Sequence, residues 1–254
     1  MTSIFDVKDK VVCIAGGSRG LGNAVARAFC ENEAWVVVGA WDADELSSMQ
    51  SEFAEDGFNI TTRTIDVSNR SDCQTLVNTA LSTYGRIDVM ICNAGIDIIK
   101  AAESYEEPEW NRILDINLRG CFYCAQFAAE AMIRAGSGSI IMTSSVAGAH
   151  GIAGLAPYAA SKGGINQLVK TTAVEWASRG VRVNGVAPGY IDNIMAGVAY
   201  DPDDPYQRHA ISRTPMGRRG KLREFVGAYL FLASDAASYI TGATIYVDGG
   251  FHAA

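Results

Sequence analysis

A short apolar run, Lys10 to Ala15, leads straight into Gly16-Gly17-Ser18-Arg19-Gly20-Leu21-Gly22, and a helical pattern from Asn23 to Glu31 comes next. This order of strand, glycine loop and helix constrains the fold more than any other feature. Glycines let the backbone turn tightly and approach a ligand closely. The free N–H groups and positive dipole end of the adjoining helix suit a pyrophosphate. The spacing is Gly16-x-x-x-Gly20-x-Gly22, which departs from the G-x-G-x-x-G fingerprint. Three glycines can also simply make a turn, so the meaning of the loop depends on what surrounds it.

Beyond the first helix, strand-like and helix-like segments alternate. Trp35 to Val38 reads as a buried strand, Asp44 to Glu55 as a helix, and Ile60 to Ile65 as a strand ending at Asp66. Ser71 to Tyr84 is helical, with Leu76, Val77, Ala80 and Leu81 at suitable spacing. Ile87 to Cys92 is a strand closed by Asn93-Ala94-Gly95, and one long helix is predicted from about Trp110 to Arg134. Ser139 to Thr143, Val181 to Val186 and Thr244 to Val247 read as strands. Pro157 to Ser178 and Leu222 to Ala233 read as helices, and about Ile191 to Thr214 as irregular. Alternating strands and helices mean βαβ units, hence an α/β fold with a parallel sheet covered on both faces. No linker interrupts the pattern, so residues 1–254 read as one domain with a substrate loop at about 190–214.

A hydrophobic fraction of 48% and a charged fraction of 19% fit a compact globule. The net charge of −7 argues against nucleic acid as a partner. No stretch approaches the ~18 apolar residues of a membrane span, and the N-terminus lacks a signal-peptide apolar region, which predicts a cytoplasmic protein. Cys121-x-x-Cys124 lies inside a predicted helix and reads as core filler rather than a redox pair. Three histidines far apart give no metal-site spacing.

Tyr158 and Lys162 stand four residues apart on one predicted helix, downstream of Ser144-Ser145. Residues at that spacing share a face. An ammonium there favours the tyrosinate, which predicts a phenol that exchanges a proton near neutral pH. Moving a tyrosine from about 10 to about 7 takes about 4 kcal/mol, at about 1.36 kcal/mol per unit. The same spacing also occurs on ordinary solvated helices.

These motifs together resemble the short-chain dehydrogenase/reductase family over nearly the whole chain. The resemblance rests on Gly16-x-x-x-Gly20-x-Gly22, Asp66-Val67, Asn93-Ala94-Gly95, Asn117, Ser145 with Tyr158-x-x-x-Lys162, Pro188-Gly189, and the tail from Tyr239-Ile240-Thr241-Gly242 to Asp248-Gly249-Gly250. It implies a Rossmann-type, doubly wound, seven-stranded parallel sheet with helices on both faces, and an NAD(P)(H)-dependent oxidoreductase. It implies Tyr158 as the proton carrier, Ser145 as a hydrogen-bond partner of the substrate oxygen, Lys162 on the nicotinamide ribose, and Asn117 sustaining a water-linked path to Lys162. Cofactor contacts are implied at Gly16, Ser18, Arg19, Gly20, Leu21, Gly22, Trp41, Asp42, Asp66, Val67, Asn93, Ala94, Gly95, Pro188, Gly189, Ile191 and Asn193. Asn193 stands where the family often has a threonine. No metal is implied.

An acidic residue at the end of the second strand binds ribose hydroxyls and repels a 2′-phosphate. That position is Ala40 here, with Trp41 and Asp42 after it. With Arg19 available to a 2′-phosphate, NADP(H) is weakly preferred, and NAD(H) remains possible through an inward-turned Asp42. The substrate wall is expected from Gly95 to Asp97, Ala147 to Leu155 and Tyr190 to about Arg213, with His150, Ile152, Leu155, Tyr190, Ile194 and Met195 lining it. The expected substrate is a small-molecule ketone or secondary alcohol of moderate size. A 3-oxoacyl carrier reductase and a non-catalytic NAD(P) sensor on the same fold are the alternatives. The resemblance further implies a homotetramer, paired through the helices around Asn117 and Tyr158 and through the C-terminal strand region.

Overall fold

The computed structural model describes residues 3–192, 203 and 205–254. In the first half, β1 (Val11–Ala15), α1 (Gly20–Glu31), β2 (Trp35–Ala40), α2 (Ala43–Glu55), β3 (Ile60–Thr64), α3 (Arg70–Tyr84) and β4 (Val89–Cys92) alternate. The second half comprises α4 (Glu107–Leu114), a π-helical turn at Asp115–Gly120, α5 (Cys121–Ala135), β5 (Gly138–Thr143), α6 (Ala156–Trp176), β6 (Val181–Pro188), α7 (Pro205–Ser212), α8 (Leu222–Ala233) and β7 (Thr244–Val247).

The strands form one seven-stranded sheet in the order β3-β2-β1-β4-β5-β6-β7, parallel throughout. β1 shows why its run is continuously apolar. Val11, Cys13 and Ala15 face one core, shared with α3, α5 and α6. Val12 and Ile14 face the other, shared with α1, α2 and α8. Both faces are dry, so no polar alternation survives. After β3 the chain returns to the other side of β1, so β1 and β4 are neighbours whose outgoing segments diverge. Ligands bind at such a switch point in open α/β sheets.

Two stretches differ from the sequence reading. The long helix predicted over Trp110 to Arg134 is broken by the π-helical turn, which inserts an extra residue per turn and buries Asn117 completely. The glycine that ends this turn is forced by packing, because a Cβ at Gly120 would stand 2.7 Å from the Val67 carbonyl oxygen. The segment read as irregular from Ile191 to Thr214 contains α7. Asn193, Ile194 and Met195 lie outside the described residues. Among the described residues, no helix is long and apolar enough to cross a membrane.

Candidate active site

One cleft of about 1330 Å³ runs across the C-terminal ends of the strands, from the glycine loop to the loops after β4, β5 and β6. Its floor is a close crossing of backbone. Gly16, at φ +82°, leaves no room for a side chain, since a Cβ there would lie 2.5 Å from Ala94. A Cβ at Gly22 would lie 2.1 Å from the Gly16 carbonyl oxygen. The Asn93 amide donates to that same oxygen at 2.7 Å, tying the β4 loop to the β1 loop. Arg19 precedes α1 without any side-chain cap, and a Cβ at Gly20 would meet nothing within 4 Å. The first turn of α1 therefore presents open backbone N–H groups, as a phosphate requires.

Further along the cleft, α6 enters through Pro157 in its first turn and presents Tyr158 and Lys162, both buried. The Lys162 Nζ lies 5.5 Å from the centre of the Tyr158 ring and donates to the Thr143 carbonyl at 2.8 Å. Thr143 is fixed from behind, its hydroxyl 2.9 Å from that of buried Tyr229. Ser145 Oγ accepts from Ala147 N at 3.2 Å and shares a hydrogen bond with Tyr158. The neighbouring Ser144 donates instead to the Lys162 carbonyl at 3.1 Å, which makes it a strut of α6.

Asn117 does not line the cleft. Its amide holds Ile96 by both backbone groups, accepting from Ile96 N at 2.8 Å and donating to Ile96 O at 2.9 Å, with Ser161 at 3.2 Å. A Cβ on Gly95 would lie 3.4 Å from the Asn117 Oδ1 and 3.6 Å from the Lys162 Nζ, so this clamp sets the loop beside the lysine.

Burial sets the acid–base character. It pushes the Tyr158 phenol up to about 12, with the Ser145 hydrogen bond pulling the other way and the Asp97 charge adding to the rise. The direction is opposite to the lowering expected from the spacing, because desolvation of the buried phenol dominates and the Lys162 ammonium is not among the influences that shift it. Burial lowers Lys162 to about 8. Burial likewise raises Asp97 to about 6, against the Ile98 N–H and Lys162.

Most of the residues expected from the sequence line this one cleft: Gly16, Ser18, Arg19, Gly20, Leu21, Trp41, Asp66, Val67, Asn93, Ala94, Gly95, Ser145, Ile152, Leu155, Tyr158, Lys162, Pro188, Gly189, Tyr190 and Ile191. Gly22 lies beneath the loop rather than on its surface. Asp42 does not turn inward; its carboxylate caps α2, accepting from Asp44 N and Glu45 N at 3.0 Å each. His150 does not line the cleft either. Its ring meets His252 at 2.8 Å and stands edge-on to Phe251, so it pins the C-terminal tail.

One acidic residue, Glu45, was not named by sequence reasoning, and another, Asp97, was named only as the end of the substrate wall. Glu45, in the first turn of α2, accepts from Arg19 Nη1 and from Ser18 Oγ, both at 2.7 Å. Asp97 lines the cleft within charge range of Tyr158 and Lys162. The only signal for Glu45 is its place just after the second strand, and for Asp97 its place directly after Asn93-Ala94-Gly95-Ile96.

The family model described as "Enoyl-(Acyl carrier protein) reductase" matches residues 15–252. The chain is 36% identical to the 3-oxoacyl-(acyl-carrier-protein) reductase FabG of Thermotoga maritima, over 96% of this chain and 98% of that protein. It is 33% identical to the gluconate 5-dehydrogenase of Gluconobacter oxydans, over 97% and 96%. A crystal structure of a gluconate 5-dehydrogenase from Burkholderia cenocepacia, in complex with NADP and tartrate, superimposes with a TM-score of 0.93 at 32% identity, over 98% of both chains.

The Ile96 clamp has a measurable consequence. Asn117→Ala leaves both backbone groups of Ile96 without their partner, at a cost of about 2 kcal/mol or more. A urea denaturation midpoint equal to that of the unsubstituted protein would show that the loop is held otherwise.

Proposed function

Because the chain belongs to the short-chain dehydrogenase/reductase family of oxidoreductases, we propose that it interconverts a ketone and a secondary alcohol with a nicotinamide dinucleotide, using Tyr158 as the general acid and base. The observation that carries this reading is a buried phenol bonded to Ser145, with the buried Lys162 amine 5.5 Å from its ring centre, in the same cleft as the glycine loop. The uncapped start of α1 and the open space at Gly20 fit a pyrophosphate. When bound, the cofactor supplies or accepts the hydride.

The side chains divide the remaining work. Tyr158 holds its proton at neutral pH and gives it to the substrate oxygen as negative charge grows there. Ser145 donates a second hydrogen bond to the same oxygen. Lys162, anchored on the Thr143 carbonyl, stabilises the tyrosinate left behind and faces the cofactor ribose. Asn117 touches none of the reacting atoms; by holding Ile96 it is a positioning residue for the loop beside Lys162. The complete Ser145, Tyr158 and Lys162 set disfavours a purely sensory role. The Thermotoga maritima relative supports a second reading, in which the ketone is carried on an acyl-carrier thioester; the chemistry at Tyr158 is the same.

NADP(H) is the weakly preferred cofactor in this proposal. Ala40 at the end of β2 offers no carboxylate, and Asp42 is committed to its cap. Glu45 limits the preference, because it engages Arg19 where a 2′-phosphate would pair. Assembly as a homotetramer belongs to the same proposal. Support comes from large apolar side chains left exposed on the expected faces: Val174 on α6, Trp110 on α4 and Tyr239 before β7.

Tyr158→Phe is expected to lower kcat by about 100-fold or more while leaving dinucleotide affinity nearly intact. Unchanged turnover of a ketone panel, monitored by nicotinamide absorbance, would remove the phenol from the mechanism. In the reductive direction kcat/KM should fall as pH rises through about 8, where Lys162 loses its proton, since Tyr158 at about 12 stays protonated. A rate rising through that range contradicts the assignment. Glu45→Gln should raise the kcat/KM ratio of NADPH over NADH by about tenfold, the scale of one charge-assisted hydrogen bond; a fall in that ratio would mean Glu45 does not oppose the phosphate.

A further inference from the structure

Asp97 lies in the first loop after β4, just beyond the Ile96 clamp, and lines the cleft. It is half-buried. Its Oδ1 accepts from Ile98 N at 2.8 Å, the one hydrogen bond it makes among the described residues. No described cation lies within ion-pairing distance of it, although it feels the charge of Lys162. The other charged or titratable groups that feel it are Tyr158 on α6 and Tyr105 before α4. Lys100, further along the same wall, is taken by Glu109 at 2.7 Å. A carboxylate oxygen left partly desolvated and without a donor carries a free-energy cost that a ligand donor removes.

The loop that carries it is rigidly placed. Tyr105 donates to the carbonyls of Ile98 and Gly154, the latter at 2.8 Å. Lys100 N donates to the same Gly154 carbonyl at 3.3 Å. The loop is thereby tied to Gly154 on the far wall, and Asp97 lines the same cleft within charge range of Tyr158, on the side where a substrate group next to the reacting carbonyl would lie.

We propose that Asp97 accepts a hydrogen bond from a hydroxyl group next to the substrate carbonyl, so that the preferred substrates are uncharged hydroxyketones and the corresponding diols. This rests on the ketone–alcohol reading of the site. A hydroxyl suits the site better than either charged group. A carboxylate beside the carbonyl would face Asp97, a like charge. An ammonium there would share the space with Lys162, another like charge. At neutral pH the carboxyl, with its value near 6, is ionised and accepts only. A site built to bond a hydroxyl discriminates against the analogue that lacks it, because the partly desolvated acceptor then faces an apolar group instead of a donor.

Hydroxyacetone and butanone test this, since they differ by a hydroxyl in place of a methyl. Asp97→Ala removes the acceptor; Asp97→Asn keeps an oxygen for Ile98 N but removes the charge. Unsubstituted protein should favour hydroxyacetone in kcat/KM, and Asp97→Ala should cut the hydroxyacetone-to-butanone ratio by about tenfold or more, with Asp97→Asn in between. Dinucleotide binding by each variant verifies the fold. A ratio that does not change, or an equal loss on both ketones, overturns the inference and leaves Asp97 as a counter-charge to Lys162. Turnover of no ketone at all by the unsubstituted protein would overturn the ketone–alcohol reading and this inference with it, an outcome distinct from an unchanged ratio.

Discussion

The cleft exists because two loops leave the C-terminal ends of β1 and β4 so near each other that no side chain fits where they meet. A Cβ at Gly16 would overlap Ala94, and one at Gly22 would overlap the Gly16 carbonyl. The crossing is locked by the Asn93 amide and by backbone bonds from Asn93 and Ala94 to the Ala15 carbonyl. A left-handed φ at Gly16 makes the turn possible at low cost for glycine alone. With the β1 and β4 loops pinned together, α1 starts pointing at the cleft and the chain after β4 is directed toward α6. The phosphate end and the chemical end of the site thus share one anchor.

The chemical end rests on a second constraint, the π-helical turn before α5. An added residue per turn brings a side chain inward that an α-helix would have placed elsewhere. Asn117 is that side chain. It satisfies both backbone groups of Ile96, which no strand or helix partner would otherwise reach. Gly120 lets the same turn close against the Val67 carbonyl, so the loop after β3 is packed against it. Ser161 on α6 contacts Asn117, and Lys162 is the next residue in sequence. A local irregularity in one helix therefore fixes the positions of the loop, the lysine and, through the helix, the tyrosine.

The strands were legible because burial on both faces turns them into plain apolar runs, as at Val36 to Val38 and Ile140 to Met142. The glycine loop and the Tyr158–Lys162 spacing were legible because both act over a few residues. The π-helical turn was not, since apolar periodicity cannot tell an i→i+5 bonded turn from an i→i+4 one over so short a span. α7 was hidden by its polar composition and short length. The cap role of Asp42 was hidden until the start of α2 was fixed at Ala43, and the same fact placed Glu45 beside Arg19. The contact of His150 with the C-terminal tail was not legible because its partner, His252, lies at the far end of the chain. The direction of the Tyr158 shift depends on desolvation, a property of the packed site that spacing alone does not carry.

That shift arises from how charge is arranged around the phenol. Burial favours the neutral form of every group it encloses, so it raises Tyr158 and Asp97 and lowers Lys162. At neutral pH the outcome is one neutral phenol, one ammonium and one carboxylate, with no net charge among them. Such a cluster tolerates a proton leaving Tyr158 better than a bare apolar pocket would, because Lys162 is already charged and already held in place by Thr143. The tyrosinate then forms near a fixed cation and needs no solvent reorganisation to be stabilised. Asp97 opposes that step by its sign, as its upward push on Tyr158 shows. On the proposed reading, a hydroxyl bonded to Asp97 would draw its charge away from the phenol, so a substrate that satisfies the carboxylate would also ease the loss of the proton from Tyr158.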